Sequence, residues 1–245
     1  MKEFLEENTA SQVKYPNELS FLNPTKFGTI NLVCAKTGIG KSWFLSQFAC
    51  CINENYPVLY ISLENDVSTD FERLDMMKTL YPYLGTTNPF CYVNGSTMTT
   101  PEYKQSWLKN KELFRSFPIV CIDGFETTVD CDGNTNMSEV YKAGVKEIRT
   151  KFPDACIWMS WQMGRKFETS VPTAEDVAYS YSAMRIAYSA VAIYKDKAGN
   201  RITTNIKSRG KYNDDSAILR WGQHFTSQNA ASNQLGDLLN QLGSI

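Results

Sequence analysis

The sequence has no long apolar run and no excess of charge of either sign. Of its 245 residues, 25 are Lys or Arg and 26 are Asp or Glu, so the formal net charge is -1. No apolar stretch approaches the ~18–20 residues that span a bilayer, and the acidic start MKEFLEENTASQ lacks the features of a signal peptide. The composition therefore predicts no membrane association. It excludes a uniformly basic surface for nucleic acid, but not a local basic patch.

Metal and disulfide patterns are also missing from the sequence. His224 is the single histidine, and the seven cysteines include no CxxC pair. Cys34, Cys121 and Cys156 each lie inside an apolar run that predicts a buried strand. The sequence therefore predicts neither a zinc site nor a disulfide framework, and it favours a reducing cytoplasm.

Hydrophobic periodicity predicts the fold class. Short apolar runs alternate with amphipathic stretches, which favours an α/β fold with a mostly parallel central sheet flanked by helices. The turn Ala198-Gly199-Asn200 predicts a C-terminal β-hairpin. We expect an N-terminal arm or linker over 1–22, a core domain over 23–222 and a tail over 223–245. The tail contains leucines at the spacing of a short amphipathic helix: Leu235, Leu238, Leu239 and Leu242.

The individual elements follow from the same patterns. Strands are predicted at 29–34, 58–63, 90–93, 119–122, 155–160, 190–195, 202–208 and 217–221. Helices are predicted at 41–55, 70–80, 103–114 and 136 to about 152, with 163–178 as a loop.

A phosphate-binding motif follows the first predicted strand. The segment AKTGIGKS fits the P-loop pattern, with Ala35 in the first glycine position. Gly38 and Gly40 let the backbone wrap a phosphate with its N–H groups inward, and the positive end of the following helix faces the anion. Lys41 is expected to reach the β- and γ-phosphates, and Ser42 to ligate Mg²⁺. We therefore predict a site for ATP and Mg²⁺, whose loop consists of Ala35, Lys36, Thr37, Gly38, Ile39, Gly40, Lys41 and Ser42.

Two carboxylates end predicted strands. Asp123 ends the run PIVCID, and Glu64 ends the run VLYISLE. The carboxyl ends of parallel strands lie on the P-loop side of a sheet, so Asp123 is predicted to hold the Mg²⁺ shell and Glu64 to act as the base for water. Glu126 is the second candidate base, because Gly124 rather than an acid follows Asp123. The alternatives are an ordinary turn aspartate and a solvated glutamate.

A polar strand end and a basic segment complete the candidates. Gln162 follows a predicted strand, where an amide can hydrogen-bond the γ-phosphate and respond to its loss; the residues alone leave this role open.

Residues 195–220 contain seven Lys or Arg and three Asp, a local charge of +4. A solvated hairpin, a DNA surface and a phosphate site would each produce such a charge.

Taken together, these pieces resemble the ATPase domain of DnaB-type hexameric replicative helicases of the RecA-like class, especially its phage members. The matching segments are AKTGIGKS, VLYISLEN, IVCIDG, WMSWQMGR, AEDVAYSYSAMRIAYSAVAIYKD and IKSRGKYND, between about residues 28 and 221. The resemblance implies a RecA-like P-loop NTPase core in which Glu64 is the catalytic glutamate, Asp123 the Mg²⁺ aspartate and Gln162 the coupling glutamine. It also implies that Lys207 and Arg209 reach across a subunit interface to the neighbour's γ-phosphate, where cations stabilise charge in the transition state.

The resemblance also implies DNA contacts. In that family the loops after the Asp123 and Gln162 strands face a central channel. The second loop carries Arg165 and Lys166, the predicted DNA-binding residues, because a channel that tracks a single strand needs charge along its backbone. The first loop, 124–137, contains no basic residue and is left with backbone N–H contacts. Full helicases carry a further N-terminal domain that binds primase, whereas 22–28 residues precede the core here.

The functional expectation is an ATP-dependent DNA helicase or translocase in phage DNA replication. It would act on single-stranded DNA as a homo-oligomeric ring, expected to be a hexamer, with a primase or loader as a further partner. Two alternatives stay open. One is a RecA-like recombinase or strand-annealing mediator that forms filaments; the other is a non-motor, ATP-regulated module that assembles on DNA or proteins.

Overall fold

Strands and helices alternate along the chain. The computed structural model describes residues 12–98, 109–124, 137–164, 171–177, 180–220 and 222–227. Its strands are β1 Ile30–Ala35, β2 Val58–Ser62, β3 Phe90–Asn94, β4 Ile119–Asp123, β5 Cys156–Gln162, β6 Ser189–Lys195, β7 Arg201–Ser208, β8 Ser216–Leu219 and β9 Thr226–Ser227. The α-helices are α1 Lys41–Ile52, α2 Val67–Leu80, α3 Lys111–Arg115, α4 Met137–Lys151 and α5 Ser180–Ile186. Short 3₁₀ helices cover Asn17–Leu19 and Ala174–Asp176.

These strands form one mixed sheet. Within the described residues its order is β3-β2-β4-β5-β1-β6-β7-β8-β9. The strands from β3 to β6 run parallel, and β7, β8 and β9 continue the sheet in antiparallel fashion. The predicted α/β class, with its parallel centre and C-terminal hairpin, is confirmed. The order places β1 between β5 and β6, so its carboxyl end lies in the middle of the sheet.

The central strands are buried on both faces, as expected for parallel strands covered by helices. Alternate residues of β1 belong to different cores: Leu32 and Cys34 pack on one side, Val33 and Ala35 on the other. On the α1 side an aromatic group forms the core, and its Phe48 ring lies 4.9 Å from that of Trp158. This packing supports β1 and the start of α1 below the loop that joins them.

Both described ends of the chain pack on the α1 side. Val13, Leu19, Phe21 and Leu22 are buried in that core, so the described part of the predicted arm packs on this domain. Near the other end, the Phe225 ring lies 5.3 Å from that of Phe21. The boundary at residue 22 stays a prediction.

Several elements differ from their predicted bounds. Helix α2 begins at Val67, three residues before the predicted start at 70, because Asp66 caps it with a side-chain bond to the Thr69 amide. Helix α5 and strand β9 were not expected. The segment predicted as a loop at 163–178 includes the 3₁₀ helix and a bridge between Met163 and Val177.

Some predictions fall on residues that the structure leaves undescribed. The four leucines of the tail lie outside the described residues, as does the first part of the helix predicted at 103–114. Among the helices that are described, none is long and apolar enough to cross a membrane.

Candidate active site

The turn between β1 and α1 has the backbone geometry of a phosphate cradle. Gly38 has φ +76° and Gly40 has φ +124°, a region that side chains other than hydrogen disfavour. Gly40 caps α1, and the first turn of that helix contains no acidic residue. The amide groups at the start of α1 are therefore directed at the loop, where an anion would be stabilised by them and by the helix dipole.

Lys41 is buried at the base of this loop. Its ammonium group donates to the Ala35 carbonyl at 3.3 Å and to the Gln162 side-chain oxygen at 3.4 Å. The amide of Gln162 in turn donates to the Thr37 hydroxyl at 2.7 Å. The predicted phosphate lysine and coupling glutamine therefore contact each other, and Gln162 bridges the lysine to the crest of the loop.

Asp123 lies below the loop at the end of β4. It is fully buried, and its Oδ2 atom accepts a hydrogen bond from the Asn65 amide at 3.0 Å. Burial raises the pKa of Asp123, and the neighbouring Ser42 hydroxyl lowers it in part. The other carboxylate oxygen, Oδ1, is buried and has no hydrogen-bond partner in the described part of the chain.

These groups fit Mg²⁺. The ion prefers oxygen ligands and keeps waters and phosphate oxygens in its shell, so one hydroxyl and one carboxylate from the protein suffice. Ser42 and the unpartnered Asp123 oxygen supply that pair. Among the described residues no cluster of three or more His, Cys, Asp or Glu side chains forms, which a site built wholly from protein ligands would need.

Glu64 stands beside this pair at the end of β2. Its side chain is exposed and lines one cleft together with Lys41 and Ser42. The Leu63 amide donates to the Asp123 carbonyl at 2.8 Å, which ties the two strand ends together. The candidate base, the candidate metal ligand and the phosphate lysine are thus brought to one edge of the sheet.

The same cleft includes residues that the sequence analysis did not single out. Asn65 and Arg73 line it, and Arg73 donates to the buried Asp70 at 2.9 Å. Tyr92 donates to the other oxygen of Asp70 at 2.8 Å, and Asn94 donates to the Asn65 carbonyl at 3.0 Å. The edge strand β3 therefore supports both the arginine and the asparagine that line the cleft.

A further basic residue, which belongs to the C-terminal hairpin, contacts the loop between β1 and α1. Arg201, at the start of β7, donates through Nε to the Ile39 carbonyl at 3.0 Å. A methyl group on Gly40 would lie 3.4 Å from Leu219 and 3.7 Å from the Arg201 side chain. Helical spacing places Arg73 on the inner face of α2, whereas only the folding back of the hairpin brings Arg201 to the loop.

Lys207 and Arg209 lie at the other end of β7. Ser208 pairs with Ser189, and Ser189 pairs with Asn31 near the start of β1. Lys207 lies six positions after Arg201 along the extended strand, so the pair lies roughly 20 Å from the end of β7 that contacts the P-loop. Burial and the adjacent Arg209 both lower the pKa of Lys207. The two cations are thus close together and distant from the candidate nucleotide site of their own chain.

The remaining predicted site residues are outside this geometry. Arg165, Lys166 and Glu126 lie outside the described residues. Their predicted roles, in DNA binding and as the second candidate base, remain predictions.

Comparison with known proteins identifies the fold. No protein-family model matches the chain, and no curated sequence matches it. The ATPase domain of G40P is similar in structure, with a TM-score of 0.65, 17% identity, and coverage of 92% of this chain and 95% of that one. A DnaB-like replicative helicase, studied with its interactions with primase, has a TM-score of 0.62 and 15% identity over 81% of this chain.

A third similar structure is a KaiC-like protein from the archaeon Pyrococcus horikoshii. Its TM-score is 0.63 at 12% identity, with 88% of this chain and 97% of that one covered. The chain spans 58% of the length of the DnaB-like helicase chain. At these identities the likeness shows the fold: this is a RecA-like ATPase fold, of the kind found in DnaB-like helicases.

Proposed function

We propose that the chain is an ATP-hydrolysing motor domain that acts as a ring on single-stranded DNA, in the manner of a DnaB-like helicase or translocase. The observation that carries the proposal is the separation between two halves of one catalytic set. Lys41, Glu64 and Asp123 converge at one edge of the sheet, whereas Lys207 and Arg209 lie at the other end of β7. A site completed by a neighbouring copy accounts for both halves.

Within one chain, the residues divide the work by their chemistry. Lys41 and the loop amides bind the phosphates, and Ser42 with Asp123 would hold Mg²⁺, which supplies charge neutralisation on the phosphate oxygens. Glu64 is the carboxylate that accepts a proton from the attacking water. Gln162, which contacts both Lys41 and Thr37, responds to loss of the γ-phosphate.

Between chains, the proposed contribution is positive charge. Lys207 and Arg209 would approach the γ-phosphate bound by the neighbouring copy and stabilise charge that develops in the transition state. Burial and, to a smaller extent, the neighbouring Arg209 lower the pKa of Lys207, and the negative charge of that phosphate would offset both effects. This heterologous contact closes into a ring when the rotation between copies permits it, and we propose six copies.

The proposed setting follows from this activity. Single-stranded DNA would thread the ring and contact Arg165 and Lys166, and a primase or loader would be the further partner in DNA replication. A phage origin and the cytoplasm of its host complete the proposal.

Mixed assemblies test whether the active site is shared. Lys41→Ala removes the nucleotide-binding half of the site, and Arg209→Ala removes the trans-acting half. Each substitution alone should lower the turnover of ATP by about 1,000-fold or more. Mixing the two inactive variants in equal amounts should restore ATPase activity, because random assembly gives about a quarter of interfaces one intact half from each subunit. Full ATPase activity of assembled Arg209→Ala would refute the shared site.

Unwinding of forked DNA tests the motor. The wild type with ATP and Mg²⁺ should separate one polarity of fork, while Glu64→Gln should bind the fork without separating it. An active ATPase that unwinds neither polarity would refute the helicase assignment. Electron microscopy of the same samples separates closed rings from the filaments that a recombinase would form.

A further inference from the structure

The turn that carries Lys207 and Arg209 is anchored by buried side-chain amides. Asn205 is 4% exposed and donates to the Phe21 carbonyl at 2.7 Å, the Asn213 carbonyl at 3.0 Å and the Asp215 carbonyl at 3.3 Å. Its side-chain oxygen accepts from the Asn23 amide at 3.2 Å. One side chain thus joins the strand, the end of the turn and the N-terminal segment.

Asn23 makes the complementary set of bonds. It is fully buried, donates through its side chain to the Lys207 carbonyl at 2.9 Å, and accepts from the Asn213 amide at 2.6 Å. A single side chain from near the start of the chain therefore links the two sides of the turn. Burying an amide without a hydrogen-bond partner is costly. The buried side chains of Asn23 and Asn205 therefore stabilise the one conformation of the turn in which their hydrogen bonds are formed.

A β-bulge lies between Asn205 and Lys207. Ala190 pairs with Lys207 and Val191 pairs with Asn205, so Ile206 is the extra residue. A bulge resets the alternation of side chains and bends the strand. The direction in which Lys207 leaves the sheet therefore depends on the bulge, and the bonds of Asn205 hold the residue that begins it.

The other side of the turn is held by the segment before β6. The Arg209 amide donates to the Tyr188 carbonyl at 2.9 Å, and its guanidinium donates to the Arg185 carbonyl at the end of α5. A methyl group on Gly210 would lie 2.8 Å from the Tyr188 hydroxyl. The turn is clamped between this segment and the asparagine pair.

We propose that Asn23 and Asn205 are positioning residues for the trans-acting pair, fixing Lys207 and Arg209 at the angle from which they meet a neighbouring copy's nucleotide. This inference rests on the shared active site proposed above. It adds that the N-terminal segment around Asn23, 184 positions from Lys207 in sequence, controls turnover at the next subunit.

The test compares Asn23→Ser and Asn205→Ala with a matched buried asparagine. Asn53 is also fully buried, and it donates to the Tyr56, Asn88 and Pro89 carbonyls at 3.1, 3.2 and 3.2 Å. Its contacts lie at the end of α1, away from the turn. Asn53→Ala therefore controls for a general loss of stability, and thermal melting measures that loss in every variant.

The expected result is a loss of turnover without a loss of nucleotide binding. In assembled protein, Asn205→Ala should lower kcat about 10- to 100-fold, because a displacement of about 1 Å has effects of this size. The Kd for ATP should stay within about twofold, since the binding half is intact. Asn53→Ala, at equal loss of melting temperature, should keep its kcat.

Mixing separates this inference from the shared site itself. Asn205→Ala mixed with Lys41→Ala should regain activity, because the second variant supplies an intact turn. If Arg209→Ala is defective and is rescued by Lys41→Ala, but both asparagine variants match Asn53→Ala in kcat, the positioning role is wrong while the shared site stands. If Arg209→Ala itself keeps full activity, the shared site fails first.

Discussion

The backbone of Gly124 lies directly against Glu64. A methyl group at position 124 would lie 2.6 Å from the Glu64 Cβ and 2.8 Å from its amide nitrogen, and Gly124 has φ +79°. Its own amide donates to the Ser160 hydroxyl at 2.7 Å. The residue after Asp123 therefore has no side chain because the neighbouring strand end occupies that space. The same contact places Glu64 beside Asp123, the candidate metal ligand.

Gly124→Ala should lower kcat by about 10-fold or more, because Glu64 must move away from the attacking water. The substitution should also cost about 1–2 kcal/mol in free energy of unfolding, from the positive φ. Steady-state ATPase assays and urea denaturation measure the two effects. Gly199→Ala is the control, since Gly199 has φ +84° but a methyl group there would have no heavy atom within 4 Å. Equal loss of kcat in both variants would contradict this explanation.

Asp70→Asn should destabilise the domain through Arg73. Asp70 is 2% exposed and pairs with an arginine that is itself mostly buried, and breaking such a pair leaves a buried charge at a cost of about 3–5 kcal/mol. Tyr92→Phe, which removes one donor to the same carboxylate, should cost about 1.5–3 kcal/mol, the range for hydrogen bonds to a charged group. Denaturation curves give both values. A double variant, Asp70→Leu with Arg73→Met, should recover part of the stability but bind ATP more weakly than wild type.

Asp66 should give α2 a pH-dependent stability. Its carboxylate accepts bonds from the Ser68 hydroxyl and the Thr69 amide and hydroxyl, which hold the pKa of Asp66 well below its usual value. A lowered pKa means that the full contribution is present above the unfolded value of about 3.9 and is lost as the pH falls towards the folded value. Asp66→Ala should therefore melt below wild type at pH 7, and the gap should narrow below about pH 4.

Asp66→Asn serves as the comparison for that experiment. Asparagine caps helices about as well as aspartate but does not titrate. Its melting temperature at pH 7 should lie close to that of wild type. A gap between wild type and Asp66→Ala that stays constant with pH would rule out the charged cap.

Asp123→Asn should raise the melting temperature and abolish activity that depends on Mg²⁺. Burial raises the pKa of Asp123 in the folded protein. Ionised Asp123 therefore lowers the free energy of unfolding at any pH above its unfolded-state pKa of about 3.9. An uncharged asparagine of the same shape removes this loss of stability. The gain should be visible at pH 7 and shrink as the pH falls. Calorimetry without nucleotide measures stability, and ATPase assays with and without EDTA measure metal dependence. A variant that still hydrolyses ATP with Mg²⁺ would contradict the metal role. A variant that melts below wild type would contradict the expected gain in stability.

The sheet could be predicted from sequence because its strands are short apolar runs separated by helices. The same topology explains why the strand-end candidates met: β1, β2, β4 and β5 run parallel, so Lys41, Glu64, Asp123 and Gln162 had to converge on one edge. Helix α5 escaped prediction because Ser180–Ile186 is short and carries no clear apolar stripe.

Residues that depend on folding back could not be predicted. Arg201 meets Ile39 across 162 positions, and Asn23 meets Lys207 across 184. No periodicity encodes such distances. Asn205 and Asn213 carry no sequence signal either, because an asparagine in a strand or turn shows the same pattern whether it is solvated or buried.

Strand β7 contacts the phosphate loop of its own chain through Arg201 and carries Lys207 near its far end. Its first half, Arg201–Thr204, pairs with β6 on one side and β8 on the other, whereas the half that carries Lys207 pairs with β6 alone and contains the bulge. In an assembled ring, this strand would therefore link one subunit's phosphate loop to the nucleotide of the next through a single continuous backbone. A displacement of the loop at one site would then bias the position of the cations at the next, so that adjacent sites influence each other while each interface keeps its own complete catalytic set.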